Sequence, residues 1–228
     1  MLLQRQRRGL RTVLWAAAVA ISAAGVAGAA DSGGTPLDRY LDGLRSLRTV
    51  FTQTVTDAHG DRTETGTGTM EVVRPGKFRW DYRPSTGAAV KGSNSGQLLV
   101  ADGKNLWFYD RELAQVSVKP MAAALSATPV MLLSGTPAEL HDSFDISADG
   151  SHDGLDWVSV KPRSAEADFS HAELGFGHGR LERMLVNDRL GQTVQLDFTR
   201  SERNAHVDAA ELQFTPPAGV DVIGTPQS

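Results

Sequence analysis

The sequence predicts a mainly β fold with some α: a curled antiparallel sheet of about ten or eleven short strands, with helices on its concave side. Three observations predict it. Apolar and polar residues alternate with a period of two through most of the chain, and turn residues recur at hairpin spacing. Apolar residues three and four apart open the chain, and short apolar segments with helix-start signals interrupt the strands between Pro120 and Asp142. An antiparallel sheet with so many strands must curl, and a curled sheet roofed by helices encloses an apolar cavity.

The first 30 residues differ in kind. Arg5, Arg7, Arg8 and Arg11 precede an apolar run from Val13 to Ala24, then small residues ending Val26, Ala27, Gly28, Ala29, Ala30. This is the pattern of a secretory signal peptide over 1–30, leaving a single domain over 31–228. The alternative, a membrane anchor, fits less well: the run is Ala-rich and shorter than the ~20 residues a span needs. Removing the leader leaves 19 basic against 27 acidic residues, which argues against nucleic acid and anionic membranes as partners. The chain has no cysteine. It therefore relies on its core rather than on disulfides, and it has no thiol to carry a lipid anchor.

In chain order, Thr35, Pro36 and Asp38 mark a helix start, and Leu37, Tyr40, Leu41, Leu44, Leu47, Val50 and Phe51 continue as one helical stripe. Alternation then begins at Phe51, turns at Asp57–Asp61 and resumes from Arg62 to Val73. Thr63, Thr65, Thr67 and Thr69 share one face; Gly66 and Gly68 share the other, where a helix or a ligand can approach closely. Phe78, Trp80 and Tyr82 alternate with Arg79, Asp81 and Arg83. Ser85–Gly96 reads as a long loop, Asp102-Gly103 as a hairpin turn between Gln97–Ala101 and Asn105–Asp110, and Ala114–Lys119 as the next strand. Helical pieces follow at Met121–Leu125, from Thr128 through Val130, Met131, Leu132 and Leu133, and from Thr136 with a capping-box Glu139. Strands are predicted at Phe144–Ala148, Trp157–Pro162, Phe169–Phe176, Leu181–Asp188, Thr193–Thr199 and Ala209–Phe214. The stretch from Pro216 to Ile223 closes the chain as a polyproline-like or edge segment.

No constellation carries catalytic chemistry. His59, His141, His152, His171, His178 and His206 lack ligand spacing, and no nucleophile elbow, phosphate loop or dinucleotide fingerprint is present. Asp142 and Asp145 flank Phe144, but a solvated strand face explains them more simply. The expectation is a non-enzymatic protein without metal or cofactor. Phe51, Phe78, Trp80, Tyr82, Trp107 and Tyr109, with Met121, Leu125, Met131 and Leu132 from the helical insert, are candidate lining of an apolar ligand cavity; taken singly, each ring fits a plain core better, and it is the set together with the apolar helical insert that points to a cavity. Trp107, Phe108 and Tyr109 are adjacent, so only part of that run can face the ligand. Arg74 stands at the end of a strand, at the edge of this wall. It is either a rim cation in water or a latch that donates to carbonyls at the end of a lid helix.

Several of these residues together resemble the LolA family of periplasmic outer-membrane lipoprotein carriers. They are Arg74-Pro75 with Phe78-Arg79-Trp80, the run Asp102-Gly103-Lys104 with Leu106-Trp107-Phe108-Tyr109-Asp110, Gln115-Val116, and Thr128-Pro129 before Leu132-Leu133. Phe51-Thr52-Gln53 fits the family's first strand, and Phe214 with Pro216-Pro217, Gly219 and Val220 fits its close. The resemblance spans Leu37 to Ile223. It implies an unclosed antiparallel β-barrel with a lid of α-helices and no catalytic residues. It implies cargo of acylated lipoproteins, taken from the inner-membrane ABC transporter LolCDE and passed to the outer-membrane receptor LolB, by a carrier expected to be monomeric and periplasmic. Arg74 would correspond to the arginine that hydrogen-bonds the lid, and Phe78 to a residue where the cavity meets lipid. Ser85–Gly96 departs from the pattern, being longer than the family's usual loop near the cavity mouth. A paralogous carrier or sensor for another lipid or envelope signal is the alternative on the same scaffold.

Overall fold

A computed structural model describes residues 34–86, 95–121 and 129–227. The leader over 1–30, most of the long loop and Leu125 lie outside the described residues.

The chain opens with helix α1 (Pro36–Leu41). Its start is as expected. The Asp38 amide donates to the Thr35 hydroxyl at 3.2 Å, the Thr35 amide donates to the Asp38 carboxylate at 2.7 Å, and Pro36 occupies the first turn. Its length is not. The predicted stripe through Phe51 breaks at Asp42, where the backbone turns extended, and at Gly43 with φ +64°. Strand β1 (Ser46–Thr56) already contains Leu47, Val50 and Phe51. Leu47 and Phe51 are four apart, a spacing that keeps one face in a strand as well as in a helix, so the stripe did not discriminate.

Eleven further strands follow: β2 (Arg62–Val73), β3 (Lys77–Thr86), β4 (Gln97–Asp102), β5 (Asn105–Asp110), β6 (Gln115–Pro120), β7 (Phe144–His152), β8 (Leu155–Pro162), β9 (His171–Gly177), β10 (Arg180–Asn187), β11 (Thr193–Arg203) and β12 (Asp221–Ile223). They form one sheet in the order β12-β6-β5-β4-β3-β2-β1-β11-β10-β9-β8-β7. Neighbours are antiparallel except β12, which joins β6 in parallel. The two end strands do not pair, so the sheet is an unclosed barrel. The pairing of β1 with β11 unites the two halves, with Phe51 opposite Phe198 and Gln53 opposite Leu196.

Between β6 and β7 lie α2 (Met131–Ser134) and α3 (Pro137–Ser143). The predicted box at α3 is present: the Thr136 amide donates to Glu139 at 2.8 Å and the Glu139 amide to the Thr136 hydroxyl at 3.3 Å. The predicted strand at Ala209–Phe214 is instead a 3-10 turn (Ala209–Leu212), capped by Asp208 and anchored by buried Leu212.

The main core fills the concave face, where Leu37, Phe51, Phe78, Leu132, Leu133 and Leu174 are fully buried. A smaller core lies on the convex face. There Leu98, Val100, Trp107, Val116 and Val118 pack under Tyr109, Phe214 and Val220, the last two supplied by the C-terminal segment. Alternation along β3 separates the faces: Phe78 and Tyr82 are buried inward, and Asp81 meets Arg111 at 2.8 Å and Arg83 at 3.5 Å outward.

Candidate lipid chamber and its latch

β3 brings Phe78, Trp80 and Tyr82 to the concave face, and β1 brings Phe51 beside them. The Phe51 and Trp80 rings stack with centroids 4.0 Å apart, and Phe51 and Tyr82 follow at 6.5 Å. Gly66 and Gly68 on β2 make this possible. A Cβ at Gly66 would run into the Tyr82 ring and one at Gly68 into the Phe51 ring, so the close approach at these glycines is made by the aromatic wall and not by the expected helix or ligand.

An apolar cavity of about 230 Å³ opens beside this wall. Trp80, Leu99 and Phe108 line one side, Met184, Val186, Val194 and Leu196 from β10 and β11 the other, and Pro129 and Val130 lie at its lid edge. Gln53 and Gln97 supply the polar groups among the described lining. Of the predicted cavity residues, Trp80 lines this space. Phe51, Phe78 and Tyr82 belong to the packed core behind it, and Met121, Met131 and Leu132 are buried in the same core. Trp107 and Tyr109 are not lining residues. They face the convex side, with their rings 5.6 and 6.1 Å from Phe214, and Phe108 between them points into the chamber. Trp107 is further held by its indole N–H, which donates to Asp102 at 2.8 Å.

The two placements predict opposite phenotypes. Trp107→Ala should lower stability by about 3 kcal/mol and leave uptake of a neutral apolar dye unchanged. Phe108→Ala should change dye affinity with a smaller stability loss. Urea melts and dye titrations on both variants check this, and equal dye effects would contradict the face assignment.

Arg74 is buried enough that desolvation lowers its pKa from the ordinary value, yet an arginine stays charged. Its Nη1 donates to the Leu41 carbonyl at 2.8 Å and its Nη2 to the Gly135 carbonyl at 2.7 Å. One guanidinium thus joins the end of α1, where the Leu41 carbonyl also accepts the Leu44 amide at 3.1 Å, to Gly135, the residue that follows α2. Beside it the Gly76 amide donates to the Ser134 carbonyl at 2.8 Å. A second clamp escaped the sequence reading. Arg203 on β11 donates to the Tyr40 and Asp42 carbonyls and stacks 4.7 Å over the Tyr40 ring. Burial pushes the Tyr40 phenol up to about 12. The helices α1 and α3 also meet directly, His141 lying 3.1 Å from the Asp38 carboxylate. Burial by itself would raise the Asp38 pKa, but hydrogen bonds from Thr35 and the pairing with His141 hold it below the usual value.

The sequence matches the family described as "Outer membrane lipoprotein carrier protein LolA" over residues 42–215. It is 37% identical to an outer-membrane lipoprotein carrier protein of Dechloromonas aromatica over 87% of this chain and 88% of that one. It is 36% identical to one from Chromobacterium violaceum over 90% of this chain and 94% of that one. Among solved structures, an uncharacterized conserved protein from Thermus thermophilus superposes with a TM-score of 0.51 at 16% identity, over 82% of this chain and 96% of that one. With the aromatic wall, the apolar chamber and the arginine that ties down its lid all on one unclosed barrel, the chain belongs to the LolA family of outer-membrane lipoprotein carrier proteins.

Proposed function

We propose that this protein is a periplasmic carrier that shields the acyl chains of lipoproteins between the inner and outer membranes. The observation that carries this reading is the apolar chamber beneath short helices whose ends the Arg74 guanidinium bonds together. Each CH₂ taken out of water is worth about 0.8 kcal/mol, so acyl chains cannot cross an aqueous space exposed. The chamber, at about 230 Å³, lies below the ~300–1,000 Å³ usual for ligand pockets. It has no room for several chains, so cargo must displace the lid. Met131, Leu132 and Leu133 of α2 occupy the concave face in the closed state, and acyl chains would take their place.

The work required is binding and release, not bond chemistry. The finer reading has the inner-membrane LolCDE transporter as the source of cargo and the outer-membrane receptor LolB as its acceptor. Residues 1–30 would be the cleaved export signal. Wall, lid and latch all come from one chain, which suits a monomer. The test is direct: protein purified from the periplasm is added to spheroplasts that retain an outer-membrane lipoprotein. Soluble lipoprotein in complex with the carrier is the expected result. Absence of release would sink the reading and favour a carrier of another lipid.

A further inference from the structure

β7 ends the sheet, and among the described residues nothing pairs with its outer side. Over Phe144–Ala148 it is regular, with Phe144 opposite Pro162, Ile146 opposite Val160 and Ala148 opposite Val158 of β8. One step before the strand, the Arg163 amide donates to the Ser143 carbonyl at 3.0 Å. Ladder bonds alternate along an antiparallel pair, so Asp145 and Ser147 also turn their main-chain groups toward β8. Phe144, Ile146 and Ala148 turn theirs away from it. Pro162, which has no N–H, sits where the ladder needs none. The Phe144 amide is used by the Leu140 carbonyl at the end of α3. The outer edge therefore presents the carbonyl of Phe144 and both main-chain groups of Ile146 and of Ala148. Its side chains leave room for another strand. Asp145 pairs with Arg163 at 2.6 Å and lies opposite Lys161, while Ser147 and Ala148 are small. Asp142 and Asp149 flank this segment, and the bulge between Ala148 and Ser151 ends it. The strand at the other end of the sheet, β12, spans only Asp221–Ile223.

We infer that the Phe144–Ala148 edge takes the extended polypeptide of the cargo, shortly after its acylated residue, as an added strand. This rests on the carrier reading and extends it from the lipid to the protein part of the cargo. Position supports it. β7 begins where α3 ends and follows α2, the helix that acyl chains would displace. Phe144 belongs to the main core and Ile146 packs against it, so a strand laid beside them continues the concave wall. Reach supports it as well. β7 stands three strands from β10, which lines the chamber with Met184 and Val186. At ~4.8 Å between strands this is about 14 Å, which about five extended residues span. The chemistry fits a cargo defined by its lipid rather than by one sequence. Main-chain bonds at a sheet edge give affinity without reading side chains, and a free edge is a template for such pairing.

The test uses protein purified from the periplasm and follows displacement of a neutral naphthylamine dye by synthetic lipopeptide amides. All share an N-terminal cysteine S-linked to dioctanoylglycerol. One has a tail of about two residues, too short to reach β7, and one a Ser/Thr tail of about ten residues. A third has the long tail with alternate amides N-methylated. The long tail should bind about tenfold more tightly than the short one, and N-methylation should remove that gain. Ala148→Pro removes an outward N–H and no ladder bond. It should abolish the gain and leave binding of the dye and of the short lipopeptide unchanged. Hydrogen exchange on the wild type gives a reading that does not depend on any variant. The Ile146 and Ala148 amides should exchange about tenfold more slowly with the long lipopeptide bound than with the short one. Equal affinity of the long and short tails, or a gain that survives N-methylation or Ala148→Pro, overturns the inference and leaves the carrier reading intact. So does unchanged exchange at both amides. A wild type that takes up none of the lipopeptides defeats the carrier reading itself.

Discussion

Replacing Arg74 with leucine should leave loading intact, tighten the hold on acylated cargo by about thirtyfold and slow its handover. On the carrier reading, cargo would compete with α2 for the concave face, where Leu132 and Leu133 are buried. Whatever stabilises the closed lid therefore lowers the apparent affinity for cargo by the same factor. The Arg74 bonds to Leu41 and Gly135 are charge-assisted and half-buried, which makes them worth about 2 kcal/mol together after allowance for solvent. Without them the empty protein should melt about 4–8 °C lower, while the loaded protein changes little. Arg74→Lys should fall between, because an ammonium lacks the planar fork that reaches two carbonyls at once. Cargo transfer to a purified outer-membrane receptor, followed over time, is the deciding measurement. Handover at the wild-type rate would remove the latch role.

Gly68→Ala should destabilise the protein by about 3 kcal/mol, more than an exposed strand substitution of this kind. The added methyl collides with the Phe51 ring and with the Asp81 carbonyl across the ladder. The ring cannot swing away freely, because it is fully buried and stacked on Trp80 at 4.0 Å. Phe51→Ala alone should lose about 4 kcal/mol through the cavity it leaves. In combination the two should be less than additive by at least about 1 kcal/mol, since the methyl then enters vacated space. Urea denaturation of the four proteins of the cycle measures this coupling. Strict additivity would show that the ring is not what the glycine accommodates.

Legibility in the sequence followed the range of the interaction. Both capped helix starts were legible, at Thr35 with Asp38 and at Thr136 with Glu139, because the partners are three residues apart. The Asp102-Gly103 hairpin was legible for the same reason, and Gly103 takes φ +98°. The phase of β5 was not. Trp107, Phe108 and Tyr109 are all aromatic, and both faces of the sheet here are covered, one by the chamber and one by Phe214 and Val220. Alternation identifies a buried face only when the other face is wet. Arg74 was legible as a candidate from its charge and its place at a strand end, but its partners stand 33 and 61 residues away. Arg203 gave no local sign of its clamp on α1, which lies more than 160 residues earlier in the chain.

The sequence by itself determined most strands and turns, the capped helix starts and an aromatic wall with charges behind it, all set by patterns within a few residues; the start of β1 and the 3-10 turn at Ala209–Leu212 were exceptions. Only the tertiary structure decided what faces the wall. The pairing of β1 with β11 carries Met184, Val186, Val194 and Leu196 across from Trp80, Leu99 and Phe108, and so makes one apolar chamber out of two distant parts of the chain. Neither half has a reason, in its own sequence, to face the other. Burial of both apolar faces in one curled sheet supplies it.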